Sequence, residues 1–315
     1  MKYITRALIA LLLTTLVVGI LLVVLYGHRD IPLDTLKEKY TNEQSAFISV
    51  DGMEVHYRDE GDQSDSIPIV LIHGTGSSLH TFDGWTRDLD DDYRVIRMDL
   101  PAYGLTGPFP DRDYSISNYV SFIHDFLATL DIDKCILGGN SLGGGIAWNV
   151  AVAHPDLVSK LILINSSGYP SEAQSIPIAF KMANIPVLKN LFKLVTPKSV
   201  AESSLENVYA DKSKVTDELV DRYWELTLRP GNRQAFIDRI GTRRSHSNHE
   251  SIQSIKQPTL VLWGDQDLLI PQAMAHRFHE DLPNDTMVIL TDVGHVPMEE
   301  SPEYSLEAVR SFLND

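Results

Sequence analysis

The stretch Gly139-Asn140-Ser141-Leu142-Gly143 constrains the fold of this chain more than any other part of its sequence. It follows the apolar run Cys135–Leu137 and opens the helix-like segment Leu142–His154. A Gly-x-Ser-x-Gly stretch between a strand and a helix places its serine on a sharp, strained turn, where small neighbours are needed because a Cβ would not fit. The pattern therefore predicts that the hydroxyl of Ser141 is exposed above a sheet, at the positive end of a helix.

Strand-like and helix-like segments alternate along most of the chain. The candidates for buried strands are short apolar runs at Ile67–Ile72, Tyr93–Met98, Cys135–Leu137, Leu161–Ile164, Thr259–Trp263 and Met287–Leu290. Candidate helices span Ser117–Leu130, Leu142–His154, Gln272–Asp281 and Pro302–Leu313. This alternation predicts an α/β fold with a mostly parallel sheet between two layers of helices, and functional residues at the carboxyl ends of the strands. Asp51-Gly52, between two alternating runs, predicts an antiparallel hairpin at one edge.

One region interrupts the alternation. Its segments from Ser171 to about Glu250 have helix-like patterns, and we interpret it as a helical insertion that lies over the strand ends. The predicted organisation is therefore an N-terminal segment (1–30), a polar linker (31–45), a first core part (46–170), a helical cap (171–250) and a second core part (251–315).

The N-terminal segment contains an apolar stretch, Ala7–Tyr26, without a charged residue. At about 20 residues it is long enough to cross a bilayer as a helix. An uncleaved membrane anchor is favoured over a cleaved signal peptide, because no convincing cleavage site follows, and over a buried core helix, because the run has no polar face. Lys2 and Arg6 favour a cytoplasmic N-terminus, which predicts that the bulk of the chain lies on the outer side of a membrane.

Charge and cysteine content exclude several classes of protein. The formal net charge of −16 argues against a nucleic-acid partner and against extended binding to anionic lipid headgroups. The chain has one cysteine, Cys135, which excludes an intramolecular disulfide framework. We expect Cys135 to be a small core residue in a buried strand.

A serine hydroxyl is a poor nucleophile at neutral pH unless a base takes its proton and a carboxylate orients that base. Both groups occur in loops that follow predicted strands. His295, flanked by Gly294 and Pro297, is the candidate base, and Asp267 is the favoured acid. Asp265 in the same loop and Asp292, three residues before the histidine, are the alternatives. Asp292 is too close to His295 in sequence to reach behind its imidazole, and Asp265 is suited to bracing its own turn.

Acyl transfer also requires donors for a developing oxyanion. One candidate is the backbone N–H of Leu142, the residue after the serine. The second is expected in the glycine-containing loop His73-Gly74-Thr75-Gly76, where the N–H of Thr75 is favoured, with Gly76 as the alternative. Gly74 lets the backbone approach a substrate closely, and His73 is interpreted as a structural residue under this loop.

Five motifs together resemble the α/β-hydrolase superfamily, over about Phe47–Leu313: His73-Gly74-Thr75-Gly76, Asp99-Leu100-Pro101-Ala102-Tyr103-Gly104, Gly139-Asn140-Ser141-Leu142-Gly143-Gly144, Gly264-x-x-Asp267-x-x-x-Pro271 and Gly294-His295. The order serine, aspartate, histidine is also the one found in that superfamily. The resemblance implies an eight-stranded sheet with a helical cap after the sixth strand. Within its Gly-x-x-Asp-x-x-x-Pro pattern, the triad acid aligns with Asp267.

Gly-Asn-Ser-Leu-Gly-Gly is similar to the sequence in the carbon–carbon hydrolases of aromatic ring-cleavage pathways and their esterase relatives. In those enzymes an arginine and a tryptophan of the cap face the substrate, and Arg222 and Trp224 are the nearest matches. The alternative is a solvated arginine and a packing tryptophan on an amphipathic helix. Members with a nucleophilic aspartate are excluded by Ser141.

The sequence therefore predicts a serine hydrolase that cleaves a carboxylic ester, with an ester or lipid-like small molecule as its partner. The alternatives are carbon–carbon bond hydrolysis or enol-lactone opening by the same residues, and a non-catalytic binding protein on a hydrolase fold. We expect no cofactor and no metal, since His276 and His279 lack the glutamate of a His-Glu-x-x-His site.

Overall fold

The computed structural model describes residues 2–170, 173–185, 189–190, 192–242 and 248–314. The strands, in chain order, are β1 (Ser45–Val50), β2 (Met53–Glu60), β3 (Ile69–Ile72), β4 (Val95–Met98), β5 (Cys135–Asn140), β6 (Val158–Ile164), β7 (Thr259–Gly264) and β8 (Asp285–Leu290). They form one sheet in the order β1-β2-β4-β3-β5-β6-β7-β8. The pairs β1/β2 and β2/β4 are antiparallel, and every later pair is parallel. The predicted eight-stranded α/β-hydrolase fold is confirmed.

The described helices of four residues or more are α1 (Lys2–Tyr26), α2 (Leu33–Tyr40), α3 (Asp83–Leu89), α4 (Ile116–Thr129), α5 (Leu142–Ala153), α6 (Ile178–Asn184), α7 (Lys198–Val208), α8 (Asp217–Thr227), α9 (Asn232–Gly241), α10 (Ala273–Asp281), α11 (Pro297–Glu300) and α12 (Pro302–Asn314). Short 3₁₀ turns occur at Leu79–Phe82, Lys212–Lys214 and His249–Ser254. Helices α6 to α9 all lie between β6 and β7, where the sequence predicts the cap. The exact limits of the predicted domains remain predictions.

The core consists of two layers, one on each face of the sheet. Successive residues of a central strand alternate between them, so that Val70 and Ile72 pack into one layer while Ile69 and Leu71 pack into the other. Such strands are buried on both faces, which explains why they appear in the sequence as continuous apolar runs. Cys135 starts the central strand β5, where burial raises the pKa of its thiol to about 12.

The edge hairpin forms as expected. Val50 pairs with Met53 across the turn Asp51-Gly52, and both turn residues have a positive φ, 49° and 79°. Two such residues in succession give the turn whose twist matches that of the flanking strands, and the Asp-Gly pair tolerates this conformation.

The predicted membrane anchor at Ala7–Tyr26 is wrong, and so are the membrane localisation and outward orientation that followed from it. Among the residues that the structure describes, no helix reaches the length and apolarity needed to cross a bilayer.

Residues 27–41, which we call the strap, connect α1 to the edge hairpin and contact the cap. The N–H of His28 donates to the carbonyl of Leu194 (3.1 Å), and that of Ile31 donates to Leu228 (2.9 Å). Side chains add ion pairs, since Lys39 Nζ lies 2.8 Å from a Glu225 carboxylate oxygen and Arg233 lies 2.7 Å from Asp30. Leu36 and Tyr40 of α2 are buried with Leu105 and Leu226 in a small apolar cluster.

Candidate active site

Ser141 occupies the sharp turn between the central strand β5 and α5. Its φ and ψ are 56° and −112°, a conformation that is costly for a residue with a side chain. The flanking glycines are required by space. A Cβ on Gly139 would lie 2.3 Å from the backbone of Gly143, and one on Gly143 would lie 2.1 Å from the carbonyl oxygen of Ile72. The strain of this turn is thus held by close backbone contact with β3, and it presents Ser141 at the carboxyl edge of the sheet.

The hydroxyl of Ser141 does not face open solvent, which differs from the simple expectation for such a turn. The residue is 9% exposed. The cap helices between β6 and β7 cover the strand ends, so Ser141 instead borders the two cavities described below.

His295 and Asp267 come together at the same edge of the sheet, although 28 positions separate them. His295 Nδ1 lies 2.6 Å from Asp267 Oδ2, and both side chains are nearly inaccessible to solvent. A carboxylate accepts hydrogen bonds, so this contact places the imidazole proton on Nδ1 and leaves Nε2 as an acceptor. The geometry is that of an oriented base.

The other two candidates for the acid, Asp265 and Asp292, contact each other. Asp265 Oδ1 accepts a hydrogen bond of 2.8 Å from the backbone N–H of Asp292. Asp265 therefore braces the turn that contains Asp292, whose φ is 59°. Of the three carboxylates, Asp267 is the one that the described contacts bring to the imidazole of His295.

The carboxylate of Asp267 is held by several donors. Its Oδ1 accepts from the backbone N–H groups of Leu269 (2.8 Å) and Ile270 (2.9 Å), and its Oδ2 accepts from Asn165 Nδ2 (2.7 Å). Asn165 follows β6 with a positive φ of 43°, and its Oδ1 accepts from the N–H of Gly264 at 3.3 Å. These contacts fix the carboxylate in one orientation and compensate its charge.

The histidine loop is anchored to three separate elements. The N–H of His295 donates to the carbonyl of Val208 in the cap at 2.8 Å. The carbonyl of His295 accepts from Asn140 Nδ2 at 2.9 Å. Glu300 accepts at 2.7 Å from the N–H of Gly294 and at 2.8 Å from that of Asp211, which joins the loop to the cap a second time.

Asn140, Asn165 and Glu300 are the supporting residues that the sequence analysis missed. Asn140 had a usable signal, because it directly precedes Ser141. Asn165 follows a predicted strand, as the candidate acid and base do, and this position could have identified it as a residue of the site.

The two candidate oxyanion donors lie beside Ser141. Leu142 is the first residue of α5, where backbone N–H groups have no acceptor within the helix. Thr75 borders both cavities together with Ser141. A Cβ on Gly74 would lie 2.9 Å from Asn140 Oδ1 and 3.1 Å from Ser141 Cβ, so glycine permits this approach of the two loops. Gly76, the alternative to Thr75, borders one cavity.

His73 is a structural residue of the loop His73–Gly76, which carries the candidate donor Thr75. Its Nε2 accepts a hydrogen bond of 2.9 Å from the N–H of Leu100, so the ring proton is on Nδ1, which donates to the carbonyl of Gly74 at 2.8 Å. Burial lowers the pKa of His73, which keeps the ring neutral.

Two cavities meet at Ser141. Cavity A, of about 120 Å³, is apolar and is lined mainly by the cap; besides Ser141 and His295 its walls include Phe180, Phe192, Val200, Leu205, Trp224 and Phe236. Cavity B, of about 500 Å³, also borders Ser141; its walls are mixed and include the polar residues Asn149, Ser167 and Arg239 and the apolar residues Ile116, Trp148 and Ile240.

Ser141 and His295 border cavity A together without a direct hydrogen bond between the two side chains in the described contacts. Such contacts are often long before a substrate is bound and shorten in the reacting complex.

The two cap residues suggested by family resemblance have separate environments. Trp224 borders cavity A and donates from Nε1 to the carbonyl of Thr196 at 2.7 Å. Arg222 forms an ion pair with Glu299 and borders neither cavity A nor cavity B. Their roles in substrate binding remain predictions.

Among the described residues, no group of three or more histidine, cysteine, aspartate or glutamate side chains is placed to hold a metal ion. His279, in the last turn of α10, has its Nδ1 3.0 Å from a carboxylate oxygen of Asp285, the first residue of β8.

Comparison with known proteins assigns the family. Residues 67–302 match the model of the alpha/beta hydrolase fold family, and the chain belongs to that family. It is 31% identical over 269 residues to a protein of Bacillus subtilis (strain 168) named "Uncharacterized hydrolase YugF", a match that covers 84% of this chain and 96% of the relative.

Two further proteins are similar over most of their length. The 2-hydroxy-6-oxo-6-(2'-aminophenyl)hexa-2,4-dienoic acid hydrolase of Metapseudomonas resinovorans is 27% identical, with 85% of this chain and 90% of the relative covered. The crystal structure of a putative lipase from Acinetobacter baumannii AYE superposes with a TM-score of 0.75 at 26% identity, and the match covers 91% of this chain and 97% of that one.

Proposed function

We propose that this hydrolase cleaves a carboxylic ester through an acyl-enzyme formed on Ser141, with His295 as the base and Asp267 as its orienting acid. One observation carries the proposal: the Asp267–His295 hydrogen bond of 2.6 Å leaves Nε2 of the imidazole as an acceptor in the same cavity wall as Ser141. A base in this tautomer is what a serine hydroxyl requires for activation.

In the proposed reaction these groups act in turn. Ser141 Oγ attacks the ester carbonyl while Nε2 of His295 takes its proton. The N–H groups of Leu142 and Thr75 receive the negative charge on the carbonyl oxygen. His295 then protonates the leaving alcohol and activates a water molecule that releases the acyl group. Asp267 stabilises the cationic imidazole in both steps.

The lining of cavity A supports an apolar acyl group. Its described walls contain no lysine, arginine, aspartate or glutamate, and aromatic and aliphatic side chains of the cap predominate. An apolar pocket of this kind favours an alkyl or aryl group by removing its surface from water.

Carbon–carbon bond hydrolysis or enol-lactone opening is the second candidate. The names of several relatives favour it over ester cleavage, among them the dienoic acid hydrolase of Metapseudomonas resinovorans. The same nucleophile, base and oxyanion donors would serve, because these reactions also pass through attack on a carbonyl group.

A substrate panel tests the proposal and separates the two candidates. We would measure kcat/KM for aryl esters of increasing acyl length, for enol lactones and for vinylogous diketones, and we would label the protein with a fluorophosphonate probe. We expect esters to give the highest kcat/KM and Ser141→Ala to abolish labelling and turnover. Ser159→Ala is the matched control. The hydroxyl of Ser159 donates to the carbonyl of Cys135 at the start of β5, whereas Ser141 follows the end of that strand.

Three results would contradict the proposal in different ways. Higher kcat/KM for diketones or lactones would favour the second candidate. Labelling without turnover of any substrate would point to a binding protein on a hydrolase fold. Labelling that persists in Ser141→Ala would overturn the assignment of the nucleophile.

A further inference from the structure

Tyr223, in the cap helix α8, contacts two loops of the core with a single hydroxyl group. Its oxygen lies 3.0 Å from Ser77 Oγ and 2.8 Å from a carboxylate oxygen of Glu299. Ser77 comes two positions after the candidate oxyanion donor Thr75, and Glu299 comes four positions after the candidate base His295. The hydroxyl therefore joins the loop of the oxyanion donor to the segment that follows the base.

The chemistry of Glu299 sets the direction of these hydrogen bonds. Its side chain is 9% exposed and forms an ion pair with Arg222, and a carboxylate only accepts hydrogen bonds. The proton of Tyr223 therefore points to Glu299, and burial raises the pKa of Tyr223, so the hydroxyl keeps this proton. The oxygen of Tyr223 can then accept from Ser77, whose other acceptor, the carbonyl of Ser78, is 3.5 Å away.

Ser77 is part of the same tight turn as the oxyanion donor. Its N–H donates to the carbonyl of Gly74 at 3.3 Å, which closes a four-residue turn around Thr75 and Gly76. Gly76 has a φ of 80°, the conformation that a type II turn requires at its third position. A shift of Ser77 would therefore move the peptide group that carries the N–H of Thr75.

Glu299 has the corresponding position on the side of the base. It lies in the short helix α11, and its N–H donates at 3.0 Å to the carbonyl of Val296, the residue after His295. The adjacent Glu300 binds the N–H of Gly294 on the other side of the histidine. A contact that holds Glu299 therefore also restrains the loop of His295.

We propose that Tyr223 is a positioning residue, which couples the cap to the geometry of the reacting groups. Its hydroxyl fixes the position of the Thr75 N–H relative to the imidazole of His295, so that both can reach one carbonyl group. The inference rests on the proposed function, in which the N–H groups of Thr75 and Leu142 receive the oxyanion. The cap thereby acts on the rate of the reaction as well as on the shape of the pocket.

The test compares Tyr223→Phe with Tyr119→Phe, a matched control. Tyr119 is fully buried and its hydroxyl donates to the carbonyl of Pro101 at 2.9 Å, but it is not in the described walls of cavity A or cavity B. Tyr223→Phe keeps the ring and loses the link between the loops, so kcat should fall about tenfold or more while KM stays within about twofold. Tyr119→Phe should keep both values.

Ser77→Ala removes one of the two hydrogen bonds from the other side. It should lower kcat by itself, and the variant with both substitutions should be no slower than Tyr223→Phe, because the link is already lost. Losses that multiply in the double variant would mean that the two side chains act independently. Tyr223 and Ser77 both border cavity A, so a loss confined to KM would mean direct contact with the substrate. Either result would overturn the positioning role.

Inhibition by a trifluoromethyl ketone tests the oxyanion site without turnover. The hydroxyl of Ser141 adds to its carbonyl carbon, the proton passes to His295, and the negative charge remains on the former carbonyl oxygen. The inhibition constant for Tyr223→Phe should rise by about the factor by which kcat falls, since both depend on the same donors. A variant that is only less stable would keep the wild-type inhibition constant, and that result would overturn the inference while leaving Ser141 as the nucleophile.

Hydrogen–deuterium exchange tests the link even if the protein cleaves no ester. Residues 73–79 and 293–300 should both exchange faster in Tyr223→Phe than in the wild type or in Tyr119→Phe, because each segment loses a contact to the cap. Ser77→Ala should affect the first segment more than the second. Equal exchange of both segments in the wild type and Tyr223→Phe would overturn the inference whatever the substrate.

Discussion

The side-chain amide of Asn140 donates a hydrogen bond of 2.9 Å to the main-chain carbonyl of His295, 155 positions later in the chain. A second contact, 3.2 Å long, joins the same nitrogen to the carbonyl of Ile164. The residue before the candidate nucleophile thus holds the loop of the candidate base and the end of β6. The relative position of Ser141 and His295 depends on this buried amide.

We predict that Asn140→Ala lowers kcat by about tenfold or more, because the loop of His295 loses its link to the nucleophile turn. The substitution also removes one hydrogen-bond donor from each of two buried carbonyl groups, those of His295 and Ile164. The free energy of unfolding should therefore fall by about 1–3 kcal/mol. Steady-state kinetics on an ester and urea unfolding measure the two effects.

Asn118→Ala is the matched control for Asn140→Ala. Asn118 also donates from its amide to a main-chain carbonyl, that of Asp113, at 2.8 Å, but this contact is exposed and does not involve the loop of His295. It should leave kcat unchanged. Equal kcat values for the two alanine variants would show that the Asn140–His295 contact does not position the base.

Asp267 and Asp265 give a second prediction, since they share one loop but have different partners. Asp267→Asn should lower kcat by about 10³–10⁴, because an amide at this position no longer favours the imidazole tautomer with a free Nε2. Asp265→Asn should keep most of the activity and lower stability slightly, since the described hydrogen bond of the Asp265 side chain is to the N–H of Asp292. Pre-steady-state acylation rates measure the difference. A larger loss in Asp265→Asn than in Asp267→Asn would reverse the assignment of the acid.

Several features of the fold could be predicted because they depend on local sequence. The buried strands have continuous apolar runs, and the hairpin has its Asp-Gly turn. Ser141, Asp267 and His295 could be predicted as site residues because each of them follows a predicted strand. These patterns are local in sequence, while the parallel sheet brings the ends of the strands together.

Other features depend on contacts that the sequence does not encode locally. Asn165 and Glu300 act through bonds to distant loops, and the pairing of Arg222 with Glu299 depends on which face of its cap helix is turned away from the cavities. A cap of several short helices leaves this orientation open in a single sequence. The N-terminal apolar stretch shows the opposite error, since a strong local signal predicted an anchor that the described helices do not supply.

The strap gives a third prediction. Leu36 is 1% exposed and packs with Leu226, a residue that also borders cavity A. Leu36→Ala should lower the free energy of unfolding by about 2–5 kcal/mol and raise KM, because the cluster supports one wall of the cavity. Leu33→Ala, on the same helix but half-buried, should have the smaller effect on both quantities. Equal unfolding free energies and KM values for the two variants would contradict the role of the strap in holding the cap.

His80 gives the last prediction, which concerns stability at acid pH. Burial lowers the pKa of His80 from its ordinary value of 6.5 to about 3, while Asp99 and Asp83 oppose the shift and Arg222 and Arg58 reinforce it. Below pH 6.5 the unfolded chain binds a proton at this residue that the folded protein does not bind until about pH 3. The contribution of His80 to stability is therefore fully present above pH 6.5 and is lost as the pH falls towards 3, by up to about 1.4 kcal/mol per pH unit.

His80→Gln replaces the imidazole with a group that does not titrate. Its free energy of unfolding, measured with urea at several pH values between neutral and about pH 4, should fall less steeply with decreasing pH than that of the wild type. His276→Gln, at an exposed position of α10, should keep the wild-type slope. Acidic residues remote from His80 contribute equally to all three proteins, so the difference in slope reports on His80 together with the two carboxylates coupled to it, Asp83 and Asp99. If the free energy of unfolding changes with pH by the same slope in His80→Gln and in the wild type, His80 is not held neutral in the folded protein.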